Sequence, residues 1–273
     1  MTDNPASAPT DDPAAIAARF VAARRSAGGL DAYPGTLPES LEAAYAVQDA
    51  AIAAWGGKAI GWKIGRVAPP LSERFGVDRL AGPIFVSVPA ADGSAMPVFA
   101  HGFAAGEAEF LLRIGRRPPP GQARFSLDEA ADLIDAVHVG IEIASSPLAP
   151  INRIGALAVI SDFGNNNGLL VGPAVPDWRS SGFETWVVTS SIDGTEVGSG
   201  RASAFPDGAL GGARFLFELM ARRGIALEPG QWISSGAVAG VHQAFAGQTV
   251  EARFGDLCAL RCRLTPAVPA QSG

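Results

Sequence analysis

The chain has 273 residues, 48 % of them hydrophobic, and a formal net charge of −6. That is enough apolar material for a sizeable core, and the acidic balance with no basic cluster beyond isolated Arg pairs argues against a nucleic-acid binder. No apolar run approaches the roughly 18 residues of a membrane span, and the polar start, with Pro5, Pro9, Asp11 and Asp12, lacks the apolar stretch of a secretory signal.

Residues 1–12 read as a disordered tail. Residues 13–27 have helical periodicity, with Ile16, Phe20 and Val21 on one face and Gly28-Gly29 as the stop. A second helix is predicted from Thr36, a candidate cap, to Gly56-Gly57. From Ala59 the pattern turns to β. Residues 59–65 alternate, which puts Ile60, Trp62 and Ile64 on one face and Lys63 on the other. Further strands are predicted over 83–88 and 107–114. A capping box, Ser126 to Glu129, opens a helix to about Ala136, and a strand follows over 137–143. Strands over 167–175, 184–190 and 195–200 come next, with Asp193-Gly194 as a hairpin turn. A helix over 209–223 ends at Gly224, and strands over 231–236 and 248–264 close the chain. Strands outnumber helices and do not alternate with them regularly, which disfavours a Rossmann sheet or a TIM barrel. The fold class is α+β: a mainly β core of mixed or antiparallel sheets with N-terminal helices and a few outer helices.

Four features could carry chemistry. Glu107 and Glu109 lie two apart in a predicted strand, so both point to one face about 7 Å apart. Their neighbours look buried, and buried acids need a partner or a metal; a solvent-facing pair is the alternative. Glu142 sits mid-strand in an apolar stretch and needs a partner too, an Arg or a shared cation. Three acids with no His or Cys cluster suit a hard, oxygen-liking ion: Mg²⁺, Mn²⁺ or Ca²⁺. Lys63 is one of only two lysines, beside Lys58, in a chain otherwise written with Arg. An ammonium readily gives up its proton where a guanidinium does not, so Lys63 either moves protons beside the acids or snorkels to solvent. Finally, Ser161-Asp162-Phe163-Gly164-Asn165-Asn166-Asn167-Gly168 is a polar turn that could line a pocket. The histidines are scattered, and no G-x-S-x-G elbow, P-loop or dinucleotide fingerprint is present. Cys258 and Cys262 fall in one predicted strand about 13 Å apart, too far for a disulfide; reduced thiols and a cytoplasmic location follow.

Taken in order, several stretches resemble the 2-keto-4-pentenoate hydratase and 4-oxalocrotonate decarboxylase group of the fumarylacetoacetate hydrolase superfamily. They are AYAVQ at 44–48, GWKIGRVAPP at 61–70, FGVDRLAGPIF at 75–85, GEAEFLLRI at 106–114, VGIEIA at 139–144, DFGNNNGLLVG at 162–172, ALEPGQWISSGAVAG at 226–240 and GQTVEARFGDL at 247–257. The resemblance implies a fumarylacetoacetate hydrolase-like fold, one catalytic domain over 13–265 with a helical cap over 13–57, a tail over 266–273, and a homo-oligomer. It implies Mg²⁺ or Mn²⁺ held by Glu107, Glu109 and Glu142, with Lys63, Ser161 and Asp162 as catalytic residues. It implies hydration of a 2-hydroxy-2,4-dienoate to a 4-hydroxy-2-oxo acid, with 2-oxo acid decarboxylation or C–C hydrolysis as the related chemistries. A metal-binding module without catalysis is the reading of another class. Two segments depart from the group: Arg79-Leu80-Ala81-Gly82 stands where Pro-Asp-Tyr/Phe-Gly is usual, and Ala144-Ser145-Ser146-Pro147 where Asp-Ser-Arg follows the third acid.

Overall fold

In the computed structural model, which describes residues 12–270, the elements follow one another as α1 (Pro13–Arg25), α2 (Leu41–Trp55), β1 (Gly61–Arg66), α3 (Leu71–Phe75), β2 (Arg79–Ile84), β3 (Ser87–Pro89), β4 (Ala95–Val98) and β5 (Phe103–Ile114). Then come α4 (Leu127–Asp132), β6 (Ile134–Ser146), α5 (Ile151–Ile154), α6 (Ala156–Ser161), β7 (Asn166–Ala174), β8 (Val188–Ile192) and β9 (Thr195–Gly200). The chain ends with α7 (Gly208–Arg223), β10 (Trp232–Ser234), β11 (Thr249–Phe254) and β12 (Cys258–Pro266). The strands form a seven-stranded sheet, ordered β2-β1-β10-β5-β6-β7-β3, and a five-stranded sheet, ordered β4-β12-β11-β8-β9. Both are mixed: β1–β10, β3–β7 and β4–β12 pair parallel, the remaining neighbours antiparallel. The expected α+β class with mixed sheets is therefore the one found.

Alternation along β5 divides the core. Ala108, Phe110, Leu112 and Ile114 point into the main hydrophobic cluster, where Phe110 stacks edge-on with Phe183 and Phe254 at 4.8 and 5.5 Å. Phe103 and Ala105 point the other way, into a second cluster with Ile16, Phe20 and Val21 of α1 and Val47 and Ala51 of α2. The two helices thus cover the start of β5 and the end of β6 on that face, and leave the middle of the face to the polar residues described below.

Some boundaries differ from expectation, each for a local reason. The second helix starts at Leu41, not near Thr36, because Ser40 takes the cap and accepts from the Ala43 amide. The strand expected over 83–88 is broken into β2 and β3. The Ser126–Glu129 capping box is present, but its helix stops at Asp132 so that β6 can begin at Ile134. Residues 184–190 start with a short 3-10 turn over Phe183–Thr185, and the strand begins at Val188. β4, α3, α5 and α6 were not expected. Of the two expected tails, residues 1–11 and 271–273 lie outside the described residues. Residues 267–270 are pinned, with Ala267 N donating to Val98 O and Ala270 N to Arg25 O, both at 2.8 Å. Cys258 and Cys262 lie on β12 as free thiols. Among the described residues no helix is long and apolar enough to cross a membrane.

One glycine ties the fold to the site. Gly82 lies opposite Lys63 in the β1–β2 register, and a Cβ there would sit 2.2 Å from the Phe163 carbonyl oxygen and 2.5 Å from Gly164 Cα. The backbone of the 163–165 turn therefore rests directly on β2. Gly82→Ala should lower unfolding stability by about 1–3 kcal/mol, the usual cost of overpacking, in a urea titration; an unchanged midpoint would show that the turn does not need this contact.

Candidate metal centre

The pairing of β5 with β6 sets Glu107 directly opposite Glu142, with Glu109 two residues along on the same face, opposite Gly140. All three are buried, and one oxygen from each lies within 4.8 Å of the others. Lys63 enters from β1 and places Nζ 3.3 Å from Glu142 Oε2. The face expected for Lys63 is the one observed: Trp62 and Ile64 fill the main core, and Lys63 points away from it. It does not snorkel to solvent, being 5 % exposed.

Neutral donors hold two of the acids. Glu109 Oε2 accepts from Ser234 Oγ at 2.5 Å and from the Gly236 amide at 2.9 Å. Glu142 Oε1 accepts from Asn166 Nδ2 at 2.8 Å. The remaining oxygens, Glu109 Oε1 and Glu142 Oε2, have no hydrogen-bond partner; Glu142 Oε2 faces the Lys63 charge without hydrogen-bond geometry. Burial raises the Glu109 carboxyl to about 8, with Glu142 adding to it and Lys63, Ser234 and Gly236 opposing. Burial likewise pushes Glu107 well above the usual range, against the pull of Lys63. For Lys63, burial alone would lower the pKa, but the carboxylates of Glu142, Glu107 and Glu109 outweigh it and raise it. Buried anions with orphaned oxygens and only one counter-charge are costly as they stand. An all-carboxylate donor set with two free oxygens matches a hard divalent cation in its chemistry.

A cleft of about 940 Å³ opens onto Lys63 and Glu107. Its outer wall carries Arg66 and Arg153, both exposed and without an ion-pair partner among the described residues, and Arg79, which donates to the Pro206 carbonyl.

The structure does not bring Ser161 and Asp162 to the cleft. Ser161 Oγ donates to the Leu157 carbonyl at 2.8 Å and accepts from Tyr33 OH at 2.9 Å. Burial raises that phenol to about 12. Asp162 is ion-paired with Arg24, Nε–Oδ1 2.5 Å and Nη2–Oδ2 3.0 Å, and accepts from Ser146 Oγ at 2.5 Å. Arg24 also donates to the carbonyls of Ser145 and Asn166 and to Asn167 Oδ1. Its guanidinium lies over the rings of Phe163 and Phe99, 4.9 and 5.4 Å from their centroids. Ser145 and Ser146, where Asp-Ser-Arg was usual, are thus parts of this network. It clamps both ends of the segment Phe163, Gly164, Asn165, whose φ angles of 55°, 65° and 65° are all left-handed. That region is uncommon for a bulky residue such as Phe and costs on the order of 1–3 kcal/mol per non-glycine residue.

Sequence reading missed Arg24, Ser234, Arg66 and Arg153. Asn165 and Asn166 lay in the polar turn singled out above. His138 and His242 bond backbone carbonyls away from the cluster.

No protein-family model matches the chain. Among solved structures it is similar to 4-oxalocrotonate decarboxylase from Pseudomonas putida G7 complexed with magnesium and adipate, with 20 % identity, TM-score 0.75, and 92 % of this chain and 97 % of that chain covered. It is also similar to fumarylpyruvate hydrolase from Pseudomonas aeruginosa in complex with Mn²⁺ and pyruvate, with 15 % identity, TM-score 0.54, and 77 % and 91 % covered. A third is 2-hydroxyhepta-2,4-diene-1,7-dioate isomerase from Mycobacterium marinum, with 16 % identity, TM-score 0.56, and 77 % of each chain covered. The chain has the fold these enzymes share, which is the fumarylacetoacetate hydrolase-like fold expected from its motifs.

Arg24→Met keeps an aliphatic stem but leaves Asp162 buried without its counter-charge. It should cost about 3–5 kcal/mol of unfolding stability; a loss below about 1 kcal/mol in a urea titration would show that the network does not hold this corner together.

Proposed function

We propose that the chain is a metal-dependent enzyme of the fumarylacetoacetate hydrolase superfamily that acts on 2-oxo or 2-hydroxy-dienoate acids, and that it hydrates a 2-hydroxy-2,4-dienoate to a 4-hydroxy-2-oxo acid. The observation that carries this reading is the buried triad Glu107, Glu109 and Glu142 beside Lys63 at the cleft. Glu107, Glu109 and Glu142 would hold Mg²⁺ or Mn²⁺, which supplies a Lewis acid for the negative charge that develops on the substrate's C2 oxygen. The magnesium, calcium and Mn²⁺ complexes of proteins with this fold support that choice. In the reaction, the dienol loses its hydroxyl proton and gains one at C5, giving a conjugated 2-oxo-3-enoate. The hydroxyl of a water then bonds to C4 and a proton to C3. Lys63 Nζ, 3.3 Å from Glu142, would give and recover these protons; the carboxylates that raise its pKa would be offset by a bound divalent cation. Ser234, Gly236 and Asn166 hold Glu109 and Glu142 in position. Ser161 and Asp162, bonded into the Tyr33 and Arg24 contacts, act as supports in this reading and not as proton carriers.

A second reading is decarboxylation of a dicarboxylic 2-oxo acid. The unpaired Arg66 and Arg153 on the outer wall favour it, because they suit a second carboxylate at the far end of the substrate.

The test is turnover with product identification after chelator treatment. Mg²⁺ or Mn²⁺ should restore activity better than Zn²⁺; loss of dienoate absorbance with a hydroxy-oxo product supports hydration, and release of CO₂ from a 2-oxo-3-enedioate supports the second reading. No divalent binding by calorimetry at millimolar metal would refute both. Lys63→Met should cut turnover by roughly 10²-fold or more and leave metal affinity near wild type. Lys63→Arg should not restore it, since guanidinium stays protonated; full turnover in Lys63→Arg would remove the proton-transfer role.

A further inference from the structure

Among the described residues, few buried side-chain nitrogens or oxygens lack a hydrogen-bond partner. Those of Trp62, Ser190 and Arg223 lie away from the cleft, and those of Glu109 and Glu142 belong to the carboxylate triad. Asn165 belongs to the cleft wall. It is 3 % exposed, its Oδ1 has no donor, and its Nδ2 bonds to no described residue. A buried amide oxygen left without a donor destabilises the fold, so hydrogen bonding within the fold gives no reason to have Asn here. The left-handed backbone of Asn165 suits Asn better than most residues but suits Gly better still, so the backbone alone does not call for the amide.

The surroundings fix where this amide lies. Its own N–H donates to the Asp162 carbonyl at 2.8 Å, and Arg24 holds Asp162 on one side of the turn and the Asn166 carbonyl on the other. The turn abuts the side chain that faces the triad: a Cβ on Gly164 would lie 3.1 Å from Lys63 Cδ. Asn165 therefore shares a wall with Lys63 and Glu107. From this we infer that Asn165 contacts the substrate directly, its unpartnered amide hydrogen-bonding the oxygen atoms of a bound 2-oxo acid. Being neutral, it adds direction without changing the charge balance set by the triad and Lys63. The inference rests on the metal-dependent reading above and adds a residue that the motif resemblance did not supply.

Oxalate, a small dianion with the oxygen pattern of a 2-oxo acid enolate, is the probe. Its binding to the Mg²⁺-loaded protein is measured by calorimetry for wild type, Asn165→Gly and Asn165→Leu, together with Mg²⁺ affinity and thermal midpoint. Asn165→Gly suits the left-handed backbone and removes the orphaned amide, so its midpoint should hold or rise. Oxalate affinity should fall about three- to tenfold in both variants, the worth of a hydrogen bond, with Mg²⁺ affinity unchanged. Wild-type oxalate affinity in both variants would overturn the inference. So would a lower midpoint in Asn165→Gly, which would make the amide structural, or a loss of Mg²⁺ affinity matching the loss for oxalate, which would place Asn165 in the metal's surroundings. Wild-type protein that binds no Mg²⁺ at millimolar concentration would overturn the metal reading itself, and the inference with it.

Discussion

Three carboxylates buried within 4.8 Å of one another are the constraint to which the surrounding structure answers. Moving even one such charge out of water costs several kcal/mol after relaxation, and mutual repulsion adds to it. The partners come from strands far apart in sequence: Lys63 from β1, Ser234 and Gly236 from the end of β10, Asn166 from the start of β7. The central order β1-β10-β5-β6-β7 puts these strands on either side of the β5–β6 pair that bears the acids. β10 is only three residues long, and the chain leaves the sheet after Ser234, so Gly236 can turn its amide toward Glu109. A longer β10 would commit that amide to the ladder.

The cluster sits at mid-strand because its face is otherwise covered. Toward the start of β5 the face is packed under α1 and α2; toward its end Leu111 joins Ile84 and Leu169 in a small apolar cluster. Apolar cover on both sides lowers the local dielectric, which strengthens the repulsion among the acids and the pull of Lys63 alike. The same α1 that supplies apolar cover also supplies Arg24. One helix thus excludes water and clamps the left-handed turn beside the cleft. Loosening α1 would therefore disturb the turn through Asp162 and the Asn166 carbonyl before it reached any carboxylate.

Local residues made the acids and Lys63 legible in the sequence, because period-two spacing alone puts Glu107 and Glu109 on one face and Lys63 opposite Trp62 and Ile64. That Glu142 faces Glu107 was not legible, since register between β5 and β6 depends on pairing across the intervening helix. Asp162 illustrates the limit most sharply. In sequence it is an acid in a polar turn, a fair candidate for catalysis. In space it is bound by Arg24, 138 residues away, and no local pattern announces that partner. Ser161 read as part of the turn for a related reason: α6, only six residues long, has too few turns to show periodicity, and the bond from the Ser161 hydroxyl to the helix carbonyl of Leu157 leaves no local trace in the sequence. Asn165 was hidden in a run of three asparagines, where only the backbone angles and the missing partners tell one from another.

Charge counting bears on how an acidic chain could receive the acidic ligand of the proposed function. The net −6 is spread over the whole molecule and is screened within about 8 Å at physiological ionic strength, so a ligand in the cleft responds mainly to nearby groups. There, burial holds Glu107 and Glu109 above the usual carboxylate range, so without a cation the triad carries fewer than three negative charges; a divalent cation would keep all three ionised, and with the Lys63 ammonium the sum would be zero. Once it is neutral, the field at the entrance is set by Arg66 and Arg153, whose guanidiniums no described acid neutralises. Arg79 adds little, since Asp78 lies 3.4 Å from it. In the proposed function, a divalent cation on the triad would supply the attraction of the cleft floor for an anionic substrate.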